Sequence, residues 1–419
     1  MKAVIKPSAT GGMVKIPPSK SMAHRAIICA CLARGESVIS NIDYSVDITT
    51  TIDCMRKLGA VIDCYDDCVV INGIEDFSHT SDSYIQCNES GSTLRFLIPL
   101  FSLTGKKVTF TGKNRLLKRP LKIYEDIFTS QGLYFSQTDE AVTVEGALSA
   151  GEYTLAGNIS SQFISGLLFT LPLLENDSTI KILPPCESRS YINLTIQMLS
   201  RFGIDIQWKD DLTLFVKGGQ KYVARNETVE GDFSRFAFFA VLSAINSTVL
   251  ITGMNPDSIQ GDRQILDVLS AAGCDIKYEN NGYLISASDL SAVDTDLKNC
   301  PDLGPILCTL AMFSRGESHI SNTSRLKLKE SDRAFAMKTE CGKMGCSITV
   351  TENDMYITGG CKSPVQTISG WNDHRIVMAT AIALTVLGGE IEGCEAITKS
   401  YPSFFDDLKN AGADVTICE

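Results

Sequence analysis

A small polar or acidic residue begins a strongly apolar segment six times along the 419 residues of this chain, at intervals of about 70 residues. The segments include IICACLA after the first of these residues and RIVMATAIALTVL after the last. Their apolar side chains recur at i, i+3 and i+4, which is typical of a buried helix. The chain is therefore predicted to contain six copies of one unit, whose helices start at Ser21, Ser92, Ser161, Asp232, Asp302 and Asp373.

A glycine between an amphipathic helix and a short β-branched strand recurs in the same register. Phrases such as MLSRFGIDIQ and LKNAGADVTI show a helix that ends at a C′ glycine, followed by the alternation of a strand. Each unit is therefore predicted to run helix, strand, helix, strand, strand. A repeat of about 70 residues is longer than the usual solenoid periods, so we expect compact α/β units packed around an axis. The predicted C′ glycines are Gly59, Gly132, Gly203, Gly273, Gly345 and Gly412.

Length and composition limit the class of protein. A chain of 419 residues exceeds what one core usually supports, so two domains of three units each are expected. No apolar run approaches a membrane span, and the opening MKAVIKPSATGG lacks the features of a signal peptide, which predicts a cytoplasmic protein. The net charge of −11 argues against nucleic acid or an anionic membrane as a partner.

The cysteines and histidines do not form a metal-binding pattern. The 15 cysteines lie inside apolar helices and strands without the regular spacing of a secreted scaffold, so reduced and mostly buried thiols are expected. Cys64 with Cys68, and Cys341 with Cys346, lack histidine partners at zinc-site spacing. The four histidines are scattered, and no metal site is predicted.

The basic residues concentrate beside the helix starts and in loops marked by glycine or proline. A helix N-terminus offers unpaired N–H groups and a partial positive charge, which favours anions. A charge-assisted hydrogen bond contributes about 1.5–3 kcal/mol, so this many cations exceed what one carboxylate requires. Ligands with at least two phosphate or carboxylate groups are predicted, against the alternative of scattered surface charge. The cations are Lys20, Arg25, Arg95, Arg119, Arg189, Lys329, Arg333, Arg375 and Lys399.

The two halves differ at their helix starts, with serine in the first three repeats and aspartate in the last three. Asp302, Asp373 and the Glu330 of KESDR are therefore expected near cations, where a carboxylate can act as a general acid or base. The alternative is N-capping, which Ser and Asp perform well. Function is favoured for Asp302 and capping for Asp232.

Eight phrases in register carry a family resemblance. They are PPSKSMAHRA, SGSTLR, KRP, GNISSQF, PD, KESDR, NDHR and KSYP. Together they resemble the 5-enolpyruvylshikimate-3-phosphate (EPSP) synthase family over the whole chain. The resemblance implies an α/β fold of two domains, each of three βαβαββ units arranged like an inverse α/β barrel, which close over the substrates. It also implies two crossovers, so that residues 1–18 and 229–419 form one domain and residues 19–228 the other.

The resemblance also implies an activity. Members of the family transfer the enolpyruvyl group of phosphoenolpyruvate to the 5-hydroxyl of 3-phosphoshikimate and release phosphate, by addition and elimination through a tetrahedral intermediate. Neither a metal nor an organic cofactor is expected, and a monomer that acts on these small molecules is implied. The proton-transfer candidates are Lys20, Asp302 and Glu330.

Matching positions imply two groups of ligand contacts. The 3-phosphoshikimate site would use Lys20, Ser21, Arg25, Ser160, Ser161, Gln162, Ser188, Asp302 and Lys329. Phosphoenolpyruvate would lie against Lys20, Gly91, Arg119, Gln162, Arg333, Arg375 and Lys399. At Gly91 a glycine permits close approach of a ligand. The alternative there is that the glycine serves only a positive φ angle.

Some positions depart from the family pattern, and two other functions are alternatives. Pro18 stands where many members have glycine, and Glu89 stands where asparagine is frequent. Arg325 stands where some members use asparagine to contact the shikimate phosphate. The nearest alternative is the sister enzyme that acts on UDP-N-acetylglucosamine, whose members carry a reactive cysteine in the loop corresponding to residues 113–120. That loop has no cysteine here. A ring-forming clamp would need cations at equivalent positions of each repeat, whereas the cations of this chain fall at different positions of different repeats.

Overall fold

The computed structural model describes residues 1–77, 83–286 and 289–418. The chain divides into two compact units, one formed by Met1–Ser19 with Glu230–Glu419 and the other by Lys20–Val229. Each unit has its own hydrophobic core. Within the described ranges, no helix is both long enough and apolar enough to cross a membrane.

The strands are short and recur through both units. In the described part of the chain they are β1 (Lys2–Lys6), β2 (Met13–Lys15), β3 (Glu36–Ser40), β4 (Val61–Cys64), β5 (Cys68–Asn72), β6 (Tyr84–Gln86), β7 (Val108–Thr111), β8 (Tyr134–Gln137), β9 (Ala141–Glu145), β10 (Glu152–Ala156), β11 (Ser178–Leu183), β12 (Ile206–Trp208), β13 (Thr213–Val216), β14 (Glu227–Thr228), β15 (Leu250–Thr252), β16 (Asp275–Glu279), β17 (Gly282–Ser286), β18 (Asp294–Asp296), β19 (Glu317–Ser321), β20 (Ser347–Val350), β21 (Asp354–Thr358), β22 (Ile368–Ser369), β23 (Gly389–Glu392) and β24 (Asp414–Cys418).

The helices alternate with these strands. In the same ranges the α-helices are α1 (Lys20–Leu32), α2 (Val46–Leu58), α3 (Gly91–Ser102), α4 (Lys122–Ser130), α5 (Ser161–Thr170), α6 (Arg189–Arg201), α7 (Phe233–Ile245), α8 (Ile265–Ala271), α9 (Gly304–Met312), α10 (Arg333–Lys343), α11 (His374–Leu387) and α12 (Phe404–Asn410). Short 3₁₀ helices occupy Leu116–Lys118, Leu171–Leu173, Gly261–Gln264, Pro301–Leu303, Ser324–Leu328 and Cys394–Lys399.

Six four-stranded sheets share one topology in the described residues. In the sheet β6-β7-β9-β8, the first two strands are parallel and are connected through α3. The last two strands form an antiparallel pair, with β9 between β7 and β8. This order is that of a βαβαββ unit. The predicted α/β fold of repeated units is therefore confirmed.

The amino-terminal segment completes two sheets of its unit. β1 lies between β23 and β24, and β2 pairs in parallel with β15. In the other unit, β14 pairs in parallel with β3 at the point where the chain leaves that unit. Each unit therefore contains three complete sheets, and the unit that includes Met1–Ser19 is formed by two separate segments of the chain.

The first helix of each repeat is apolar on nearly every face and lies inside its unit. Every residue of α9, for example, is buried. The helices α7, α9 and α11 pack against one another, and the hydroxyl of Thr309 on α9 donates to the carbonyl of Ala379 on α11 at 2.9 Å. Because their apolar surfaces are fixed in the core, the amino-terminal ends of these helices are held rigidly.

The six predicted C′ glycines all have positive φ angles, from 70° at Gly132 to 121° at Gly59. The N–H of Gly59 donates to the carbonyl oxygens of Met55 and Arg56, which closes the end of α2. A residue with a side chain is strained in this conformation, so the repeated glycine has a direct physical cause. The second sequence marker is therefore confirmed.

The helix starts lie within two residues of the predicted positions, but the capping residues differ. Ser90 and Ser160, rather than Ser92 and Ser161, accept the N-cap hydrogen bonds of α3 and α5. Asp232 caps α7 through the N–H groups of residues 234 and 235. Asp302 instead lies inside the 3₁₀ helix that precedes α9. Capping thus explains Asp232 and leaves Asp302 to another role.

Candidate active site

In the unit that contains both chain ends, a buried arginine joins three carboxylates. The side chain of Arg333, the first residue of α10, is only 1% exposed. Its Nε lies 2.9 Å from Oδ2 of Asp373, and its Nη1 lies 2.9 Å from Oδ1 of Asp302. Its Nη2 donates to Oε2 of Glu330 at 2.6 Å. A guanidinium suits this position because its planar fork can serve several carboxylates at once.

Asp302 collects three cations around one carboxyl group. Oδ1 accepts from Lys329 at 3.1 Å as well as from Arg333, while Oδ2 accepts from Arg375 at 3.2 Å. Burial alone raises the pKa of such a carboxyl, but Arg375, Lys329 and Arg333 together hold the pKa of Asp302 well below its usual value. The side chain is 20% exposed. Asp302 is therefore an ionised group with access to solvent.

Asp373 serves both as a helix cap and as an ion-pair partner. Its Oδ1 accepts from the N–H of Arg375 at 2.9 Å, and its Oδ2 also accepts from the hydroxyl of Ser331 at 3.0 Å. Burial opposes its ionisation, but the neighbouring Arg333 lowers its pKa overall. The carboxylate thus connects the start of α11 to the start of α10.

Lys399 lies in the same unit but has different partners. Its Nζ donates to the backbone oxygen and to Oδ1 of Asn372, both at 2.8 Å. Asn372 directly precedes the α11 cap Asp373, so the ammonium lies beside the amino-terminal end of that helix. A helix N-terminus with a neighbouring ammonium group is a suitable environment for an anion.

In the other unit, a second cluster forms around the start of α3. Gln162 on α5 accepts from Nη1 of Arg95 at 2.8 Å and donates to the hydroxyl of Ser92 at 2.8 Å. A Cβ atom placed on Gly91 would lie 2.4 Å from Nη1 of Arg119 and 3.3 Å from Nη1 of Arg95. The structure therefore brings Gly91, Gln162 and two guanidinium groups together. The φ of Gly91 is not positive, so the alternative explanation for this glycine is wrong.

The start of α1 carries two further cations. Nζ of Lys20 lies 2.8 Å from Oδ2 of Asp47 on α2. Arg25 is buried: its Nη1 donates to the carbonyl of Ser21 at 2.6 Å, and its Nε donates to the hydroxyl of Thr195 on α6 at 2.8 Å. Burial lowers the pKa of Arg25 to about 10. This arginine therefore connects α1 to α6.

Three of the predicted serines lie at the starts of two helices, α5 and α6. Ser160 caps α5 by accepting from the N–H of Gln162 at 3.3 Å, and Ser161 is the first residue of that helix. Ser188 precedes α6 in a left-handed conformation, with φ of 55°, and is buried. The predicted serines thus lie where hydroxyl and backbone donors occur together, which favours the binding of an oxyanion.

Comparison with known proteins gives a consistent result. The EPSP synthase (3-phosphoshikimate 1-carboxyvinyltransferase) family profile matches residues 4–408. The chain belongs to the EPSP synthase family. A 3-phosphoshikimate 1-carboxyvinyltransferase of Clostridium perfringens is 43% identical over 416 residues, which cover 98% of each chain. The enzyme of the same name from Clostridium kluyveri is 40% identical, over 98% of this chain and 97% of its own.

A solved EPSP synthase from Acinetobacter baumannii has the same architecture. Its TM-score to this chain is 0.80 at 25% identity, and the match covers 99% of this chain and 100% of the Acinetobacter chain. The family resemblance carried by the eight phrases is therefore confirmed, as is the fold that it implied. The roles of single residues in this EPSP synthase family member stay predictions.

Sequence reasoning missed several residues of these clusters. Asp47 pairs with Lys20, and Thr195 holds Arg25. Their helices carry no sequence feature that points to a ligand. Arg95 was recognised as a cation but not as a site residue, although it contacts Gln162. Arg325, a departure from the family pattern, is buried and donates to the carbonyl of Lys298 at 2.9 Å.

A buried carboxyl near the Asp302 cluster was also missed. Asp262 lies in the 3₁₀ helix Gly261–Gln264 and accepts a hydrogen bond from the hydroxyl of Ser234. Burial, reinforced by the charge of Asp302, raises its pKa to about 7, although Arg375 acts in the opposite direction. The phrase QGDR gives no sign that its aspartate is buried.

A chain of hydroxyl groups supports the start of α3. Nδ1 of His24 lies 2.8 Å from the hydroxyl of Thr51, and that hydroxyl lies 2.7 Å from the hydroxyl of Thr93. Thr93 in turn donates to the hydroxyl of Ser90 at 2.7 Å. Burial, with the nearby Lys20 and Arg25, holds the pKa of His24 well below its usual value. A neutral imidazole therefore connects α1 and α2 to the α3 cap.

Proposed function

We propose that this protein transfers the enolpyruvyl group of phosphoenolpyruvate to the 5-hydroxyl of 3-phosphoshikimate and releases phosphate, a step of the shikimate pathway. Membership of the EPSP synthase family and relatives named 3-phosphoshikimate 1-carboxyvinyltransferase support an enzyme of this type. The observation that carries the proposal is the ionised carboxylate of Asp302 within reach of Lys329, Arg333 and Arg375. Such a group can accept a proton among cations that bind anionic substrates.

Phosphoenolpyruvate carries a carboxylate and a phosphate, and the residues proposed to bind it are suited to both groups. Arg333 and Arg375 carry guanidinium forks, which match carboxylate and phosphate geometry. Phosphoenolpyruvate would replace some of the oxygen atoms of Asp302, Glu330 and Asp373 that these forks bind. Lys399 adds an ammonium beside the start of α11. From the other unit, the proposed residues are Lys20, Gly91, Arg119 and Gln162.

The residues proposed to bind 3-phosphoshikimate combine hydroxyl donors with cations. Ser160, Ser161 and Ser188 lie at the starts of α5 and α6, where free backbone N–H groups favour a phosphate. Lys20, Ser21, Arg25 and Gln162 come from the same unit, while Asp302 and Lys329 come from the other. Burial lowers the pKa of Lys329, and a neighbouring anionic ligand would favour its charged form.

The reaction requires balanced proton transfers. In the addition step, the 5-hydroxyl oxygen attacks C2 of phosphoenolpyruvate and loses its proton, while C3 gains a proton. In the elimination step, a proton leaves C3, the bond from C2 to the phosphate oxygen breaks, and phosphate departs. Asp302 is proposed to accept the hydroxyl proton because its carboxylate is ionised and partly accessible. Anionic substrates that bind Lys329, Arg333 and Arg375 would raise its low pKa toward the range in which a general base is effective. Lys20 and Glu330 are the remaining candidates for the transfers at C3.

The protein is further proposed to be a cytoplasmic monomer whose partners are small molecules alone. Light scattering after size-exclusion chromatography measures the oligomeric state directly. A mass near 45.5 kDa is expected for the monomer.

The proposal is tested by phosphate release. The purified chain is incubated with phosphoenolpyruvate and either 3-phosphoshikimate or UDP-N-acetylglucosamine, and free phosphate is measured over time. Release is expected with 3-phosphoshikimate only. Asp302→Asn should lower kcat about a hundredfold or more, because a positioned general base contributes about 10²–10⁴. Release with UDP-N-acetylglucosamine instead would assign the sister activity.

A further inference from the structure

The turn that precedes α11 contains two successive residues in the left-handed conformation. Trp371 has φ of 52° and Asn372 has φ of 50°. Asparagine tolerates this region, but a bulky aromatic residue there is an outlier that the surrounding structure must hold in place. The turn spans residues 369–373 and ends at the Asp373 cap. Its conformation therefore requires an explanation from the neighbouring elements.

A buried carboxylate on α10 holds this turn. Oε1 of Glu340 accepts from Nε1 of Trp371 at 2.7 Å, and Oε2 accepts from the N–H of Ser369 at 3.0 Å. Nζ of Lys343 lies 2.7 Å from the same Oε2. The side chain of Glu340 is 1% exposed. Because all three partners are donors, a carboxylate satisfies them, whereas an amide would place one donor against another.

The same helix supports the turn at two further points. The ring of Trp371 lies edge-on to that of Phe335, with 5.7 Å between the centroids. Lys343 also donates to the carbonyl of Thr367, just before the turn, at 3.0 Å. The contacts come from successive turns of α10, so the helix that begins at Arg333 holds the whole segment.

The 369–373 turn also positions three of the residues proposed to bind phosphoenolpyruvate. Asn372 accepts two hydrogen bonds from Lys399, at 2.8 Å each. The N–H of Asp373 donates to the carbonyl of Gly370 at 2.9 Å, which places the carboxylate that binds Arg333 and the N–H of Arg375. A shift of the turn would therefore move the partners of the Lys399 and Arg333 side chains, and the backbone of Arg375, together.

We propose that Glu340 is a positioning residue for phosphoenolpyruvate binding: through Ser369 and Trp371 it fixes the 369–373 turn, and the turn fixes Lys399, Arg333 and Arg375. Glu340 itself touches no substrate in this proposal. The kinetic part rests on the proposed function, whereas the fixing of the turn is a property of the chain alone.

Two variants of the full chain test the proposal. Trp371→Phe keeps a smaller aromatic ring on the side of Phe335 and removes the indole N–H with the rest of the five-membered ring, whereas Glu340→Gln keeps the shape and removes the charge. Thr309→Val is the matched control, since it removes one buried hydrogen bond from the same unit, between α9 and α11. The KM values for phosphoenolpyruvate and 3-phosphoshikimate, kcat, and amide hydrogen exchange of residues 369–375 are measured for all four proteins.

In both test variants, the KM for phosphoenolpyruvate should rise about fivefold or more, as expected for the loss of a charge-assisted hydrogen bond that orders the site. The KM for 3-phosphoshikimate should change less than about twofold. Exchange at residues 369–375 should become faster in these variants and not in Thr309→Val. An unchanged KM for phosphoenolpyruvate, or equal increases for both substrates, would overturn the proposal.

Failure of the proposed function gives a different result. If the wild-type chain shows no turnover with the two substrates, the activity is wrong and hydrogen exchange alone decides whether Glu340 fixes the turn. Faster exchange in both variants would then still support the structural part. Exchange equal to that of the wild type would overturn it.

Discussion

Arg333 and Asp373 form an ion pair that is almost completely removed from solvent. The atoms Nε and Oδ2 lie 2.9 Å apart, and the two side chains are 1% and 0% exposed. Removing one partner of a buried pair leaves an uncompensated charge, which costs about 3–5 kcal/mol of stability. The pair also fixes a guanidinium that is proposed to bind phosphoenolpyruvate. Stability and binding therefore depend on the same residue.

Arg333→Ala is expected to cost about 2–5 kcal/mol of transition-state binding, because a bidentate partner of a desolvated anion is lost. This loss is measured as a lower kcat/KM for phosphoenolpyruvate. Arg333→Lys keeps the charge without the fork, so its kcat/KM should lie between that of the alanine variant and that of the wild type. Steady-state kinetics with thermal unfolding separates binding from stability. A kcat/KM for Arg333→Ala within about threefold of the wild type would refute the assignment.

Gly91→Ala should affect glyphosate, the inhibitor that the family resemblance implies, more than phosphoenolpyruvate. Glyphosate is slightly longer, and the new methyl would occupy space beside Nη1 of Arg119, 2.4 Å from its present position. The contacted atom is the end of a long side chain, which can shift by rotation about its bonds, so the fold should tolerate the change. The inhibition constant for glyphosate should rise much more than the KM for phosphoenolpyruvate. Equal losses for both ligands, with a lower melting temperature, would contradict the steric explanation.

Ser161→Ala should weaken the binding of 3-phosphoshikimate without lowering stability. Ser160 is the α5 cap, so its replacement by alanine should cost about 0.5–2 kcal/mol of stability as well as affinity. Titration calorimetry and thermal unfolding on the two variants measure both effects. Unchanged affinity with a lower melting temperature for Ser161→Ala would favour a purely structural role.

Asp262 should make stability fall as the pH rises through the weakly acidic range. Its folded-state pKa of about 7 lies above the ordinary value of 3.8, so its stabilising contribution is complete below pH 3.8 and is lost as the pH approaches 7. The slope of stability against pH that one such group contributes cannot exceed about 1.4 kcal/mol per pH unit. Asp262→Asn should therefore gain stability relative to the wild type between about pH 4 and 7, and the difference should be level above pH 7.

Urea unfolding of both proteins across this range measures the difference. Contributions from groups that the two proteins share, such as His24, cancel when the variant is compared with the wild type. A difference that does not change with pH would show that Asp262 is ionised throughout the range.

The sequence predicted features that depend on local chain geometry. The C′ glycines follow from a positive φ, and the buried first helices follow from apolar periodicity, so both could be recognised without tertiary information. Asp302 was favoured for function over capping, and its position inside a 3₁₀ helix agrees with that preference.

Contacts between distant repeats could not be predicted in the same way. The pairing of Arg333 with Asp373 joins residues 40 positions apart, and that of Trp371 with Glu340 joins residues 31 apart. Nothing in the local pattern around Glu340 or Asp262 distinguishes a buried acid from a solvated one. Their roles depend on burial and on neighbouring charges, which only the packed structure contains.

Isotope tracing tests the central claim, transfer of an intact enolpyruvyl group, most directly. Phosphoenolpyruvate labelled with ¹⁸O at the oxygen between C2 and phosphorus is incubated with the chain and 3-phosphoshikimate, and the products are examined by mass spectrometry. The account predicts an enolpyruvyl ether of 3-phosphoshikimate without the label, and released phosphate that carries it, because the bond from C2 to oxygen breaks. Unlabelled phosphate, or no ether with 3-phosphoshikimate, would contradict the account.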